Sequence, residues 1–131
     1  MKKAIYDVLT NDGDVSALIN TRIYPNEAAQ DAALPYVVQK VTDTEPLDSK
    51  DNPAYDFVSV EVNCYAQGGS GGETTLEDLT NKIITALDNN TGTHNGVVVL
   101  NAEFINKDDI KLEDENKIYG KRLDFRFFVQ R

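Results

Sequence analysis

The sequence predicts an α+β fold: a four-stranded antiparallel sheet with one long helix and a short N-terminal helix packed on one face, in the order α-β-β-α-β-β. Three observations carry this expectation. Val58, Val60, Val62 and Cys64 alternate with Ser59, Glu61 and Asn63, the period-two pattern of a strand with one buried face. Leu123, Phe125, Phe127 and Val129 alternate in the same way with Arg122, Asp124, Arg126 and Gln130. Between these runs, Leu76, Leu79, Ile83, Ala86 and Leu87 recur at helical spacing, which gives a stripe able to lie across the apolar face of the sheet.

Taken in chain order, Ile5, Val8 and Leu9 mark a short amphipathic helix over 2–9, stopped near Asn11-Asp12-Gly13. Asp14 is placed to cap a second short turn, Val15 to Ile19. Arg22-Ile23-Tyr24-Pro25 reads as an extended lead-in, and Leu34-Pro35 delivers the chain into a first strand over Tyr36–Thr42. In both stretches a proline flanks an apolar run, where its missing N–H and fixed φ are tolerated. Thr44 to Asn52, polar and broken by Pro46, reads as a long exposed hairpin loop before the second strand, Asp56–Ala66. Gly68–Gly72 reads as a flexible connector into an acidic, threonine-capped first turn of the main helix, which runs to Asp88. Asn89–Asn95 reads as turn, Gly96–Ile105 as the third strand, Asn106–Asn116 as a charged turn, and Ile118–Gln130 as the fourth strand. Phe128 interrupts the polar register of that strand and puts an aromatic on its wet face, a hint of a partner surface.

A length of 131 residues fits one domain, 1–131, and 40% hydrophobic with 27% charged residues is a globular composition. No apolar run approaches the ~20 residues that cross a bilayer, so no membrane partner is expected. Asp7 falls where a secretory leader needs an apolar block, and no cleaved leader is expected. The net charge of −9 argues against sequence-specific nucleic-acid binding. That charge is uneven: Lys117–Arg131 has five basic residues against Asp124, leaving −13 for the rest of the chain. A basic final strand on an acidic body is suited to steering one copy onto another.

Signs of catalysis are weak. His94 is the only histidine and falls in the turn-rich segment, where it reads as an exposed loop residue. Cys64, the only cysteine, sits at a core position, so neither a disulfide nor a multi-thiolate zinc site can form within the chain. The glycine cluster lacks the Gly-Lys-Ser/Thr ending of a phosphate loop, and Glu73, Glu77 and Asp78 would repel a phosphate. Asn11–Asp14 and the acids between Asp108 and Glu115 lack the spacing of a calcium loop and read as solvated turns. No catalytic, cofactor or metal residue is assigned, and the chain is expected to be no enzyme.

The chain resembles the tail-completion or tail-terminator proteins of long-tailed bacteriophages and their prophages. The likeness spans nearly all of it and rests on Arg22-Ile23-Tyr24-Pro25, Leu34-Pro35-Tyr36-Val37-Val38, Val62-Asn63-Cys64-Tyr65-Ala66, Ala86-Leu87-Asp88 and the final strand with Tyr119 and Lys121-Arg122-Leu123-Asp124-Phe125-Arg126. Gly68–Gly72 and Asn106–Asn116 depart from that pattern. The resemblance implies a structural virion protein without cofactor. It implies a ring of copies, commonly six, that caps the finished tail tube and docks the head. The implied partners are other copies of the chain, the tail tube protein and a head-side connector protein, met in the bacterial host cytoplasm and then in the tail or neck of the virion. Arg122, Arg126 and Phe128, with Asp48 and Lys50 in the hairpin loop, are the expected interface residues. A head–tail connector or neck protein is the nearest alternative, and a ferredoxin-like ligand-binding or regulatory module is the alternative from another class.

Overall fold

The protein, a computed structural model, is described over residues 1–29, 32–49, 52–68, 72–110 and 118–130, with the side chains of 48, 49 and 52–54 left aside. Three helices, α1 (Lys2–Asn11), α2 (Gly13–Ile19) and α3 (Gly72–Leu87), accompany six strands: β1 (Ile23–Pro25), β2 (Tyr36–Ser49), β3 (Asn52–Gln67), β4 (Gly92–His94), β5 (Val97–Ile110) and β6 (Ile118–Gln130). The strands form one curled sheet in the order β1-β2-β3-β6-β5-β4. The expected four-stranded antiparallel sheet with one long and one short helix is therefore wrong in strand number, helix number and sense, because β1 runs parallel to β2.

Each difference has a local cause. The lead-in at Arg22–Pro25 is too short to show a period, yet it is held as β1. Val37 N–H donates to Arg22 O at 3.0 Å, and the Arg22 guanidinium donates to Pro35 O at 2.9 Å and Leu18 O at 3.2 Å. The turn-rich segment before β5 contains β4, joined to it through Asn95 and Gly96 at φ of 48° and 80°. Two successive positive φ values suit the tight turn that Asn-Gly forms between antiparallel strands. The polar stretch from Thr44 onward is strand because β3 pairs with it residue by residue, Thr44 with Val58 and Glu45 with Phe57. Pro46 is tolerated there on an outer strand. β5 likewise runs past Ile105 to Ile110, opposite Asp124 to Gly120 of β6, where a charged turn was expected. The helix α2 is capped by Asp12, not Asp14: its carboxylate accepts from Asp14 N at 3.0 Å and Val15 N at 3.1 Å.

The two alternating runs pair along their whole length, Tyr55 with Gln130 through Gln67 with Ile118. One face of that pair buries Val58, Val60, Val62, Cys64, Leu123, Phe125, Phe127 and Val129. Ile5 and Leu9 of α1, Val15 and Ile19 of α2, and Leu76, Leu79, Ile83 and Leu87 of α3 join them in one core. Polar bonds fix the position of α3. Asp88 accepts from Phe104 N at 3.0 Å, and Asn89 N–H donates to Ala102 O at 2.8 Å. Near the other end, Glu77 receives Lys107 Nζ at 2.8 Å and Lys121 Nζ at 2.7 Å, tying the helix to both β5 and β6.

Two consequences are measurable. Ile83→Ala removes a fully buried side chain and should cost about 3 kcal/mol, whereas Ile105→Ala, at a 53% exposed position, should stay within about 0.5 kcal/mol in denaturant unfolding. The hydrogen bonds from Lys107 and Lys121 hold the Glu77 carboxyl at about 2, below its ordinary 4.5. A depressed acid stabilises the fold above its unfolded value, and that stability is lost as pH falls from 4.5 towards 2. The Glu77 side chain is 47% exposed, so solvent screening keeps the effect to about 1 kcal/mol. Glu77→Gln should flatten the stability profile across that pH range by this amount.

Candidate assembly surface

The strand pair that buries its valines on one face turns a second set of residues to the other, where no described helix lies. On β6 these include Gly120, Arg122, Asp124, Arg126 and Phe128, and on β3 Tyr55, Phe57, Ser59, Glu61, Asn63 and Tyr65. They sort into three zones along the strands.

At the hairpin end, Phe128 lies between Tyr55 and Phe57, with ring centroids 5.3 and 5.0 Å away. The Arg126 guanidinium sits 3.8 Å over the Phe57 ring. A cation on an aromatic face is attracted by the ring quadrupole and stays available to a second partner on its outer side. Leu47 of β2, opposite Tyr55, extends this half-buried apolar patch. In the middle, Arg122 is held by acids of its own chain, with Asp108 at 3.0 Å, Asp124 at 3.5 Å and Glu61 at 3.8 Å. At the far end, Tyr36 packs against Tyr24 at 6.0 Å and Tyr65 at 5.2 Å, and burial pushes the Tyr36 and Tyr65 hydroxyls above their ordinary values. Gly120 makes room there: a Cβ at that position would come within 3.2 Å of the Tyr65 ring and 3.1 Å of Ile110 Cβ.

Of the expected interface residues, the structure brings Arg126 and Phe128 together in one patch and places Arg122 in a separate, internally neutralised group. Lys50 and the side chain of Asp48 lie outside the described residues. Phe57 and Tyr55 complete the patch but were not among the expected residues. The signal for Phe57 was present, since it stands two positions before Ser59 on the polar side of the alternation.

The side chains with chemical potential are engaged otherwise. His94 is a half-buried residue of β4, not an exposed loop residue, and its Nε2 lies 2.8 Å from Asn90 Oδ1. Cys64 is fully buried, and desolvation pushes its thiol far up, opposite to what a nucleophile needs. Asp12 serves as a helix cap, and Asn11 donates to Asp7. Among the described residues, no three metal-ligating side chains come together.

The family model described as "Tail completion protein gp17" matches residues 3–130. Among solved structures, a chain from the virion of a native gene transfer agent particle is similar over its fold. It has a TM-score of 0.83 at 18% identity, covering 100% of this chain and 95% of that one. A second solved chain gives a TM-score of 0.63 at 12% identity, covering 100% and 96%. No curated protein matches. Extending over all but the outermost residues, the family match shows that the chain belongs to the tail completion protein gp17 family, whose members are structural proteins of the phage tail.

Proposed function

We propose that this protein caps the completed tail tube as a ring of copies and gives the head its docking surface during virion assembly. The observation that carries the reading is the family match over residues 3–130. The fold likeness to a chain of a phage-like particle supports it, since that likeness extends over the full length of this chain. Six copies are the expected number, and the tail tube protein and a head-side connector protein are the expected neighbours. The role requires a shaped surface and no bond-making chemistry. Assembly in the host cytoplasm and then residence at the tail or neck follow from it.

Within this role, the Arg126–Phe128 patch is the part of the sheet face that engages a neighbour in the assembled tail. It combines a cation with one side free and half-buried rings, the residue types enriched where interfaces concentrate their energy. Arg122 lies outside this patch, held by Asp108, Asp124 and Glu61 of its own chain.

The test is genetic and visual. Removing the gene from its phage should leave overlong or unjoined tails in electron micrographs; heads that leak DNA on correctly finished tails would indicate a neck connector instead. The double change Arg126→Glu with Phe128→Ala should leave the circular dichroism spectrum intact and weaken incorporation into tails about tenfold or more, equivalent to about 1.4 kcal/mol of lost contact. Wild-type incorporation by this variant would remove the patch from the interface.

A further inference from the structure

Among the described residues, the long strands of the sheet leave two open edges. β1 pairs with β2 only at Val37–Gln39, and β4 pairs with β5 only at Val97–Val99. Among the described residues no strand pairs with the outer side of β2 from Lys40 to Ser49, or of β5 from Asn101 to Ile110. Each open run is ten residues, about 33 Å of backbone, and that of β2 lacks a donor at Pro46. An unpaired edge of that length is a template for another strand.

Three features indicate what each edge meets. First, the sheet alternates strictly from β2 through β3 and β6 to β5, so β2 and β5 run in opposite directions. When copies repeat by rotation about an axis, β5 of one copy therefore arrives antiparallel to β2 of the next without inverting the subunit. This is a head-to-tail contact between two different surfaces, the kind that closes a ring. Second, β5 carries two bulges in its pairing with β6, at Leu100 and Ile105, and these residues are 39% and 53% exposed. β2 carries Leu47 at 36% exposure. Apolar side chains thus stand beside both edges. Third, β2 has its own bulge at Thr42, on nearly the same level across the sheet as Ile105. Bulges bend and twist strands, so the two edges curl where they would meet.

We infer that the outer edge of β5 in one copy pairs with the outer edge of β2 in the next, so that the sheets continue from subunit to subunit as one antiparallel ladder. The inference rests on the ring reading above and names the surfaces that would make the ring. The charges on these edges set its conditions. Each run has one lysine and three carboxylates: Lys40 with Asp43, Glu45 and Asp48, and Lys107 with Glu103, Asp108 and Asp109. Like-charged edges repel, which guards the single copy against premature pairing. Salt screens that repulsion, so association should strengthen as ionic strength rises.

The experiment uses the full chain with paired cysteines. Asp43→Cys, Thr44→Cys and Glu45→Cys on β2 are each combined with Asn101→Cys, Glu103→Cys or Ile105→Cys on β5, while buried Cys64 is left in place. Native mass spectrometry across a salt series gives the oligomeric state, and mild oxidation followed by denaturing electrophoresis reports the contact. Edge pairing gives a covalent ladder of subunits from at least one combination and self-association that rises with salt. Ring-sized masses with no ladder from any combination would overturn the edge contact and leave the ring reading standing. Single copies at every concentration and salt, and in purified tails, would overturn both.

Discussion

The burial of the apolar stripe of α3 against the valine and phenylalanine face of β3 and β6 is the constraint on which the rest of the molecule depends. Those two strands pair without a break from Tyr55–Gln130 to Gln67–Ile118, so their side-chain alternation stays in phase along the full ladder. A slip of one residue would turn Phe125 and Phe127 outward and Arg126 into the core. Desolvating a guanidinium there would cost several kcal/mol, so the register is fixed by what the core excludes as much as by what it holds. Once it is fixed, Arg126 and Phe128 have to face away from the helices, and Phe57 has to face Phe128 across the ladder. The exposed patch follows from the buried one.

The clamp around Glu77 follows from the same constraint. Leu76 and Leu79 are buried against the sheet, and the turn between them carries Glu77 over β5 and β6, where Lys107 and Lys121 rise from the core-facing side of their strands. Both lysines lie where the apolar core has ended, so their stems continue the buried face while their heads meet a carboxylate. The first part of the expected charged turn, Asn106 to Ile110, is strand for this reason. Lys107 has a partner on α3, Asp108 has one in Arg122, and a polar sequence stays in the ladder when its side chains are paired.

How far the sequence was readable follows from this physics. The long periodic elements were legible: α3 and β6 fall within a residue of expectation, and the core valines and Cys64 lie where alternation put them. Sequence reasoning failed where pairing rather than period decides. β1 and β4 are three residues each, shorter than any period can show, and each exists only because a long strand lies beside it. Asn95-Gly96 was the one local signal for β4, an Asn-Gly pair directly before the run Val97–Leu100. The extension of β2 beyond Thr42 had no signal of its own, since Asp43, Glu45 and Pro46 all disfavour strand and the partner strand overrides them. On the surface, Arg126 and Phe128 were legible from their place in the alternation. The pairing of Arg122 with Asp108 was not, because it depends on a strand extension the sequence hid.

The same hidden extensions change how the acidity of the chain is understood. Read as loops, Thr44–Asn52 and Asn106–Asn116 are solvated acidic turns whose carboxylates keep the protein soluble. Read as strand, Asp43 and Glu45 of one run and Glu103, Asp108 and Asp109 of the other stand along edges that would otherwise pair with any strand at hand. A protein that has to stay separate until a growing structure presents its neighbours needs edges of this kind. They must be long enough to pair once held side by side and charged enough to stay apart when free. Screened repulsion between a few exposed carboxylates amounts to about 1 kcal/mol, small against a ladder of backbone hydrogen bonds at roughly 1 kcal/mol each. On the proposed edge pairing, the guard would delay contact between free copies, where the lost freedom of association adds to it, and would give way where an assembly has already brought the edges together.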